Sequence, residues 1–476
     1  MSSETTRREF CKTSAAGLAG IIAAGVAPSL YAAGANDRVR VACVGYSDRF
    51  RGSLLPCFLH HSKELGFDMV AVADLWKKRL FENAKPGIEK AVGHEVETFG
   101  SDVALYEAKD RLGLDAVIIS TADFQHAQHA VHAVEAGCDA YCEKPIAEDM
   151  YSANMLLDAV NAKRALGAMK PGAVLQVGSQ RRSGKKYAAA RDFIKSGKFG
   201  DISYVHLTWN VNQPRRWRRP DELIASLKKE DVDWNMWLLD RDPKEYPFDP
   251  RKYLEFRLFW PFSSGIPGQW MCHQIDTVAW FLDQPYPKSA VSSGGLYQWV
   301  DGRQSYDTFT TLMEYGESGV KGKGFQVMFQ SHQTNCAGGS KPNGESPVEK
   351  YFGPGGCIDL GSGCVTNEGV EKAEPKSEKL PAPEEQVVTS ANTGGDSLTS
   401  AHMRNWMECV RSRTNPNAPV EAGYSHAIAL IMSNAALRTG LKATFDPESR
   451  QVLAGGKAWT GYKSLADGNW FTNLFS

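Results

Sequence analysis

The rhythm of apolar and polar positions changes once along the chain. From Arg38, short runs of β-branched and small apolar residues recur, separated by stretches with helical spacing. Val39–Val44 is the first run and ends in Gly45. Asp68–Asp74 is the second and ends on an acid. Asp115–Ser120, Cys138–Glu143 and Leu175–Gly178 continue the series. Between them, Leu54–Leu65 and His126–Ala136 read as helices, the latter closed by Gly137. Near-continuous apolar strands alternating with helices indicate a parallel sheet covered on both faces. Residues 36–185 are therefore expected to form a doubly wound, Rossmann-like α/β domain.

Beyond about residue 185 the period becomes two. Ile202–Trp209 alternates like a half-exposed strand, and Ser289–Ser293, Asp307–Tyr315 and Gly324–Gln330 follow without regular helices between them. Residues 186–476 are expected to form an α+β domain with an open, mostly antiparallel sheet, serving substrate binding and oligomerisation. Glu371–Gln386 reads as a solvated loop. Ser400–Val410 and Ser425–Gly440 read as amphipathic helices.

The first 35 residues follow neither rhythm. Arg7 and Arg8 precede Phe10 and Lys12, a small-residue run from Ala15 to Ala27, and Ala32-Ala33-Gly34-Ala35. A charged start, a short apolar stretch and an A-x-A-like end resemble a twin-arginine export signal. The alternative is a frayed helix with two solvated arginines. The signal reading implies an export-machinery partner and a periplasmic or exported location. No run approaches the ~18 apolar residues of a spanning helix, so no stable membrane insertion is expected.

Composition narrows the class. The 54 Lys+Arg against 55 Asp+Glu give a formal charge of -1, without the basic excess of a nucleic-acid binder. Cys43 and Cys138 sit in apolar runs and read as core residues. Cys138 and Cys142 lack a second pair of ligands, so no metal site is expected. Cys357 and Cys364 flank a Gly-rich loop, where an oxidised pair is one option.

Candidate chemistry gathers at the ends of the predicted parallel strands. Gly45-Tyr46-Ser47-Asp48-Arg49-Phe50-Arg51-Gly52 occupies the place of a dinucleotide fingerprint, with only the first glycine in register. Ser47 and Phe50 take the other glycine positions. Asp74 closes the second strand, where an acid accepts ribose hydroxyls and disfavours a 2′-phosphate. It reads equally as a helix cap. Leu75-Trp76 offers no arginine for such a phosphate, and Lys77 and Lys78 are the nearest cations, so NAD is expected over NADP. Thr121 and His126 follow the third strand, and Glu143-Lys144-Pro145 the fourth. Lys144, partly desolvated beside a positive ring, is a candidate proton carrier. Gln269, His273 and Asp276 fall at i, i+4 and i+7 of a predicted helix, and His273 is a candidate base. A core histidine satisfied by Asp276 is the plain alternative, and zinc is disfavoured by Gln269. Arg215, Arg216, Arg218 and Arg219 surround Trp217, either as a clamp for an acidic sugar or as a solvated loop or subunit contact.

Asp115–Ser120, His126, Glu143-Lys144-Pro145, Gln176–Arg182 and the Gly-x-x-x-x-His-x-x-Asp stretch at 268–276 together resemble the glucose–fructose oxidoreductase/inositol dehydrogenase/rhizopine-catabolism (Gfo/Idh/MocA) family. Asp-Trp-x-x-Trp-Leu at 233–238 and His-Met-Arg-Asn-Trp at 402–406 resemble its exported, twin-arginine members. The resemblance implies an NAD cofactor lined by Gly45, Ser47, Asp74, Thr121, His126, Glu143, Lys144 and Arg181. It implies Lys144 and His273 as catalytic groups, Gln269 and Asp276 as substrate contacts, a carbohydrate substrate and a homo-oligomer. The altered fingerprint and Gln269, where many dehydrogenase members have an aspartate, depart from the family pattern. Three readings follow: a periplasmic NAD-dependent sugar oxidoreductase that recycles a tightly bound cofactor, a redox-assisted NAD-dependent glycoside hydrolase, and a catalytically silent carbohydrate-binding protein.

Overall fold

The computed structural model describes residues 37–166, 173–211, 215–337, 345–370, 376–380 and 397–464. The expected export signal at 1–35 and most of the expected loop at 371–386 lie outside the described residues.

Six strands form the first sheet: β1 (Val39–Val44), β2 (Phe67–Ala73), β3 (Glu97–Phe99), β4 (Ala116–Ile119), β5 (Asp139–Cys142) and β6 (Leu175–Val177). Their order is β3-β2-β1-β4-β5-β6, and every pairing is parallel. β4 and β5 are buried at every position, because helices cover both sheet faces. β3 was not legible as a strand, being three residues long and partly polar. The chain leaves β1 on one side towards β2 and returns on the other to β4. That reversal opens a crevice at the carboxyl ends of β1 and β4.

The second sheet holds β7 (Tyr204–Val211), β8 (Ser289–Gly295), β9 (Thr308–Gly316), β10 (Gly324–His332), β11 (Glu345–Gly353), β12 (Gly356–Asp359), β13 (Cys364–Thr366), β14 (Ser377–Lys379), β15 (Ala443–Asp446), β16 (Gln451–Ala454) and β17 (Lys457–Ala458). Its order is β14-β13-β12-β11-β7-β10-β9-β8-β15-β16-β17. β7 and β10 pair in parallel, and the other described pairs are antiparallel. Ser377–Lys379, expected in a loop, is an edge strand. Cys357 and Cys364 are free thiols on adjacent strands, opposite Thr366 and Asp359. Cys43 and Cys138 are buried in the core as expected.

The C-terminal helices knit the two sheets together. Met403, Trp406, Met407 and Val410 of helix Ser397–Ser412 join Phe50, Phe58 and Phe67 in one apolar cluster. The first sheet thus takes one of its covering helices from beyond residue 185. Helix Val420–Thr439 corrects the amphipathic expectation. It is buried on every side over most of its length, so it has no polar stripe. Among the described residues, no helix is long and apolar enough to cross a membrane.

Candidate active site

The crevice begins at Gly45, whose φ of +85° suits glycine. A Cβ there would stand 2.7 Å from Thr121 Cγ2, so the turn after β1 passes directly against the turn after β4. Ser47 Oγ accepts the Phe50 N–H at 3.1 Å and donates to Ser120 Oγ at 3.1 Å. Phe50 points into the core and is fully buried. The chain continues as a π turn over Phe50–Leu54, and π turns recur at Leu80–Ala84 and Pro267–Met271, all bordering the crevice. Such turns often mark functional sites.

Asp74 lies at the far side. Its carboxylate accepts the N–H groups of Tyr46 and Trp76, each at 2.9 Å, and two bonds from Arg79 at 3.0 and 2.9 Å. These fill the usual directions around both oxygens. Arg79 also packs over the rings of Trp76 and Tyr253, 5.5 and 5.7 Å from their centroids. Sequence reasoning stopped at Lys77 and Lys78 and missed Arg79. Its signal was an arginine five residues past a strand-end acid, within reach across one helical turn.

Three neighbouring chambers share Ser47 and Thr121 as lining residues. The innermost, about 80 Å³, is bordered by Gly45, Ser47, Asp74 and Thr121. The middle one, about 410 Å³, is lined by Ser47, Asp48, Arg49, Arg51, Arg79, Arg219 and Arg257. The third, about 270 Å³, brings together Ser47, Thr121, His126, Glu143, Lys144, Gln269 and His273. Asp48 binds Arg219 at 2.7 Å and Arg51 at 3.2 Å. Partial burial opposes its ionisation, but these arginines hold the carboxyl below its ordinary range.

In the third chamber Lys144 Nζ donates to the Gln269 carbonyl at 2.9 Å. Glu143 accepts Arg49 Nε at 2.8 Å and the Lys144 N–H at 3.2 Å. Burial raises its pKa, yet Arg49 and Lys144 leave it below the usual range. His273 lies beside Trp209, with ring centroids 5.6 Å apart. Burial first, then the charges of Lys144, Arg181 and Arg49, push its imidazole well below its ordinary pKa, so it is neutral near pH 7. His126 Nδ1 bonds the Pro145 carbonyl at 2.7 Å.

Gln269 lines the chamber, but its side chain is held at both ends. Nε2 donates to Asp123, and Oε1 accepts Arg257 Nε at 2.8 Å. Both ends of the side chain expected to contact substrate are thus engaged within the protein. Asp276 and Arg181 correct the expectation more fully, because neither lines the chambers. Asp276, 1% exposed, gives both oxygens to Arg182 at 2.9–3.1 Å. It stands one helical turn beyond His273, too deep for the chamber. Arg181 is buried against Glu349 and the ring of Trp209, and reaches His273 only through its charge. Sequence reasoning also missed Asp123 and Glu148 behind the chamber. Ser264 binds Glu148 through N–H and Oγ, each at 3.2 Å, while burial and Asp123 push the Glu148 carboxyl up.

The crevice fits a dinucleotide. Thr121 Oγ1 and His126 Nε2 are buried at its wall with no hydrogen-bond partner among the described residues, ready for polar groups of a bound ligand. Arginines line the middle chamber where the fingerprint glycines are missing, and they suit a pyrophosphate. Phe50 turns away, and Asp48 is neutralised by its partners. No metal was expected. Asp102, His129 and His132 do form one buried cluster, but both imidazole Nδ1 atoms lie 2.7 Å from the same carboxylate oxygen, which is hydrogen-bonding geometry.

A family description reading "Oxidoreductase family, NAD-binding Rossmann fold" matches residues 39–169. Inositol 2-dehydrogenase of Salmonella typhimurium is 29% identical over 182 residues, covering 38% of this chain and 49% of the relative. Inositol 2-dehydrogenase 4 of Saccharopolyspora erythraea is 31% identical over 183 residues, with the same coverage of 38% and 49%. The chain thus spans about half the length of these relatives. Levoglucosan dehydrogenase, solved with NADH and levoglucosan, shares the fold at a TM-score of 0.59 and 12% identity, covering 86% of this chain and 99% of that one. Myo-inositol dehydrogenase from Lactobacillus casei, solved with NAD(H) and myo-inositol, does so at 0.56 and 15%, covering 86% and 97%. Residues 39–169 thus match the NAD-binding Rossmann domain of the Gfo/Idh/MocA oxidoreductase family, and the rest of the chain shares the fold of its solved members.

Proposed function

We propose that the protein is an NAD-dependent oxidoreductase acting on a sugar, cyclic polyol or glycoside. The observation that carries this reading is the convergence of Lys144 and His273 on one chamber, which shares Ser47, Ser120 and Thr121 with the crevice at Gly45 and Asp74. The similarity to inositol dehydrogenases and to the levoglucosan enzyme supports a polyhydroxylated substrate. When bound, NAD supplies the hydride acceptor. Gly45, Ser47, Thr121 and the arginines of the middle chamber would hold it. His273, neutral and beside Lys144, is the base for a substrate hydroxyl proton. Lys144 donates a hydrogen bond and places positive charge where an alkoxide develops. Gln269 and Glu143 fix the position of Lys144 from two sides.

The arginine pair at 7–8 supports export through the twin-arginine route. An enzyme working outside the cytoplasm cannot count on exchanging free NAD, so the reading includes a retained cofactor regenerated within each turnover. Transfer between sugars, epimerisation and glycoside cleavage satisfy that balance, and net oxidation does not. The test incubates purified protein with candidate sugars and glycosides without added NAD, following product and absorbance near 340 nm. Many turnovers without accumulating NADH are expected. Turnover that needs added NAD and yields NADH one-for-one sinks the retained-cofactor reading. No nucleotide released on denaturation, with no binding of added NAD, sinks the oxidoreductase itself.

A further inference from the structure

The innermost chamber lies away from Lys144 and His273. It sits at the carboxyl ends of β1, β2 and β4, at Gly45, Asp74 and Thr121, and is bordered further by Ser101, Asp102 and His129 after β3. That half of a doubly wound sheet carries the adenosine of a dinucleotide, with its ribose at the strand-end acid. Leu75, Ala122, Trp237 and Phe256 give the chamber apolar walls. Several of its polar side chains are already engaged. Asp74 and Arg79 hold each other. Ser101 Oγ accepts the Ala104 N–H at 3.1 Å. Gln125 accepts the Ala122 N–H at 3.2 Å and donates to the Trp237 carbonyl at 2.7 Å.

Two buried side-chain atoms of this lining have no hydrogen-bond partner among the described residues, Thr121 Oγ1 and His129 Nε2. Thr121 stands where the turn after β4 meets Gly45. His129 stands on helix His126–Glu135, one turn beyond His126, and is 4% exposed. Its Nδ1 lies 2.7 Å from Asp102 Oδ2, and His132 Nδ1 lies 2.7 Å from the same oxygen. Burial opposes the Asp102 charge, but the two imidazoles hold its pKa far below the ordinary range. An ionised carboxylate only accepts, so each Nδ1 carries the proton it donates. In the neutral imidazole of His129, Nε2 is then a lone-pair acceptor. An acceptor buried beside apolar walls is costly to leave unpaired.

Resting on the reading of this crevice as an NAD site, we propose that His129 selects the base of the cofactor. Its Nε2 accepts a hydrogen bond from the exocyclic amino group of adenine, and Asp102 holds the tautomer that leaves Nε2 free to accept. A 6-amino purine supplies the missing donor. A 6-oxo purine turns a carbonyl oxygen towards the same lone pair and leaves two acceptors facing each other. Selectivity arises from that mismatch, since a site built around one hydrogen bond rejects the analogue that cannot make it.

The experiment strips the protein of nucleotide in mild urea and returns it to buffer. It is then titrated with NADH and with reduced nicotinamide hypoxanthine dinucleotide, whose base carries an oxygen in place of the amino group. Nicotinamide fluorescence gives both dissociation constants, and the rise in melting temperature with each dinucleotide is a second readout. NADH should bind more tightly by roughly 10–100-fold, the effect of leaving a buried acceptor unpaired. His129→Gln supplies an amide that can donate or accept, so the two constants should then lie within about threefold of each other. Equal affinity of the wild-type protein for both overturns the proposal and leaves the oxidoreductase reading intact. An unchanged ratio in folded His129→Gln protein does the same. If that variant does not fold, the wild-type ratio decides alone. If neither dinucleotide binds, the NAD-site reading itself fails and the proposal falls with it.

Discussion

Asp74→Asn is the sharpest probe of cofactor choice. The Asp74 carboxylate, only 1% exposed, is shared by two backbone N–H groups and both arms of Arg79. A 2′-phosphate beside it would face this acid and the Arg79 side chain paired with it. The amide removes one negative charge and leaves the Arg79 side chain, 27% exposed, facing the chamber. Two unit charges about 4 Å apart interact by about 4 kcal/mol at an effective dielectric of 20. With water and salt reaching the site, roughly half of that survives, about 2 kcal/mol. At about 1.4 kcal/mol per decade this is roughly a 30-fold swing towards the phosphorylated cofactor. The assay is fluorescence titration of wild type and variant with NADH and NADPH. Wild type should prefer NADH, and the ratio of dissociation constants should move by that factor. Loss of the bidentate pair should cost about 1–3 kcal/mol of stability, read by thermal melting. A folded variant whose NADH:NADPH ratio stays within about twofold of wild type would refute the assignment of Asp74 and Arg79 as the discriminating pair.

Other outcomes follow from the same structure. Lys144→Ala and His273→Ala should each lower turnover by roughly 10²–10⁴-fold with folding retained, and full activity in either removes that residue from the mechanism. Because burial and neighbouring cations lower the His273 pKa, the base stays unprotonated through pH 6.5, and kcat/KM should fall only at lower pH; an acid limb above pH 6.5 contradicts this role. Burial alone would raise the Asp102 pKa, but His129 and His132 hold it far below the ordinary range. The stability this confers is full above the unfolded pKa of about 3.9 and is lost as pH falls below it, so Asp102→Asn should flatten the acid limb of thermal stability. Replacing Arg7 and Arg8 by Lys should leave the protein in the cytoplasm, as cell fractionation would show.

Periodicity alone determined the parallel sheet, because strands buried on both faces must be apolar at nearly every position. Val39–Val44 and Asp115–Ser120 could read as little else. The turn residues at their ends were legible for the same reason: Gly45, Asp74, Thr121 and Lys144 each sit where an apolar run stops. Short local spacing also made His273 visible, although it could not separate a chamber residue from a core one. The sequence held no such signal for pairings across long separations. Asp276 looked like His273's partner at i+3, yet Arg182, 94 residues upstream, takes both its oxygens. Gln269 looked free until Asp123 and Arg257 closed on its two ends. Helix Val420–Thr439 looked amphipathic because small and polar residues interrupt it, but the structure buries those too, between the two sheets. Charge followed the same division. The chain is almost neutral as a whole, and only the fold brings Lys144, Arg216 and Arg257 to one chamber. A one-dimensional pattern reports which face a residue prefers. Which opposing charge arrives at that face depends on how the chain crosses itself, and only the tertiary structure decides that.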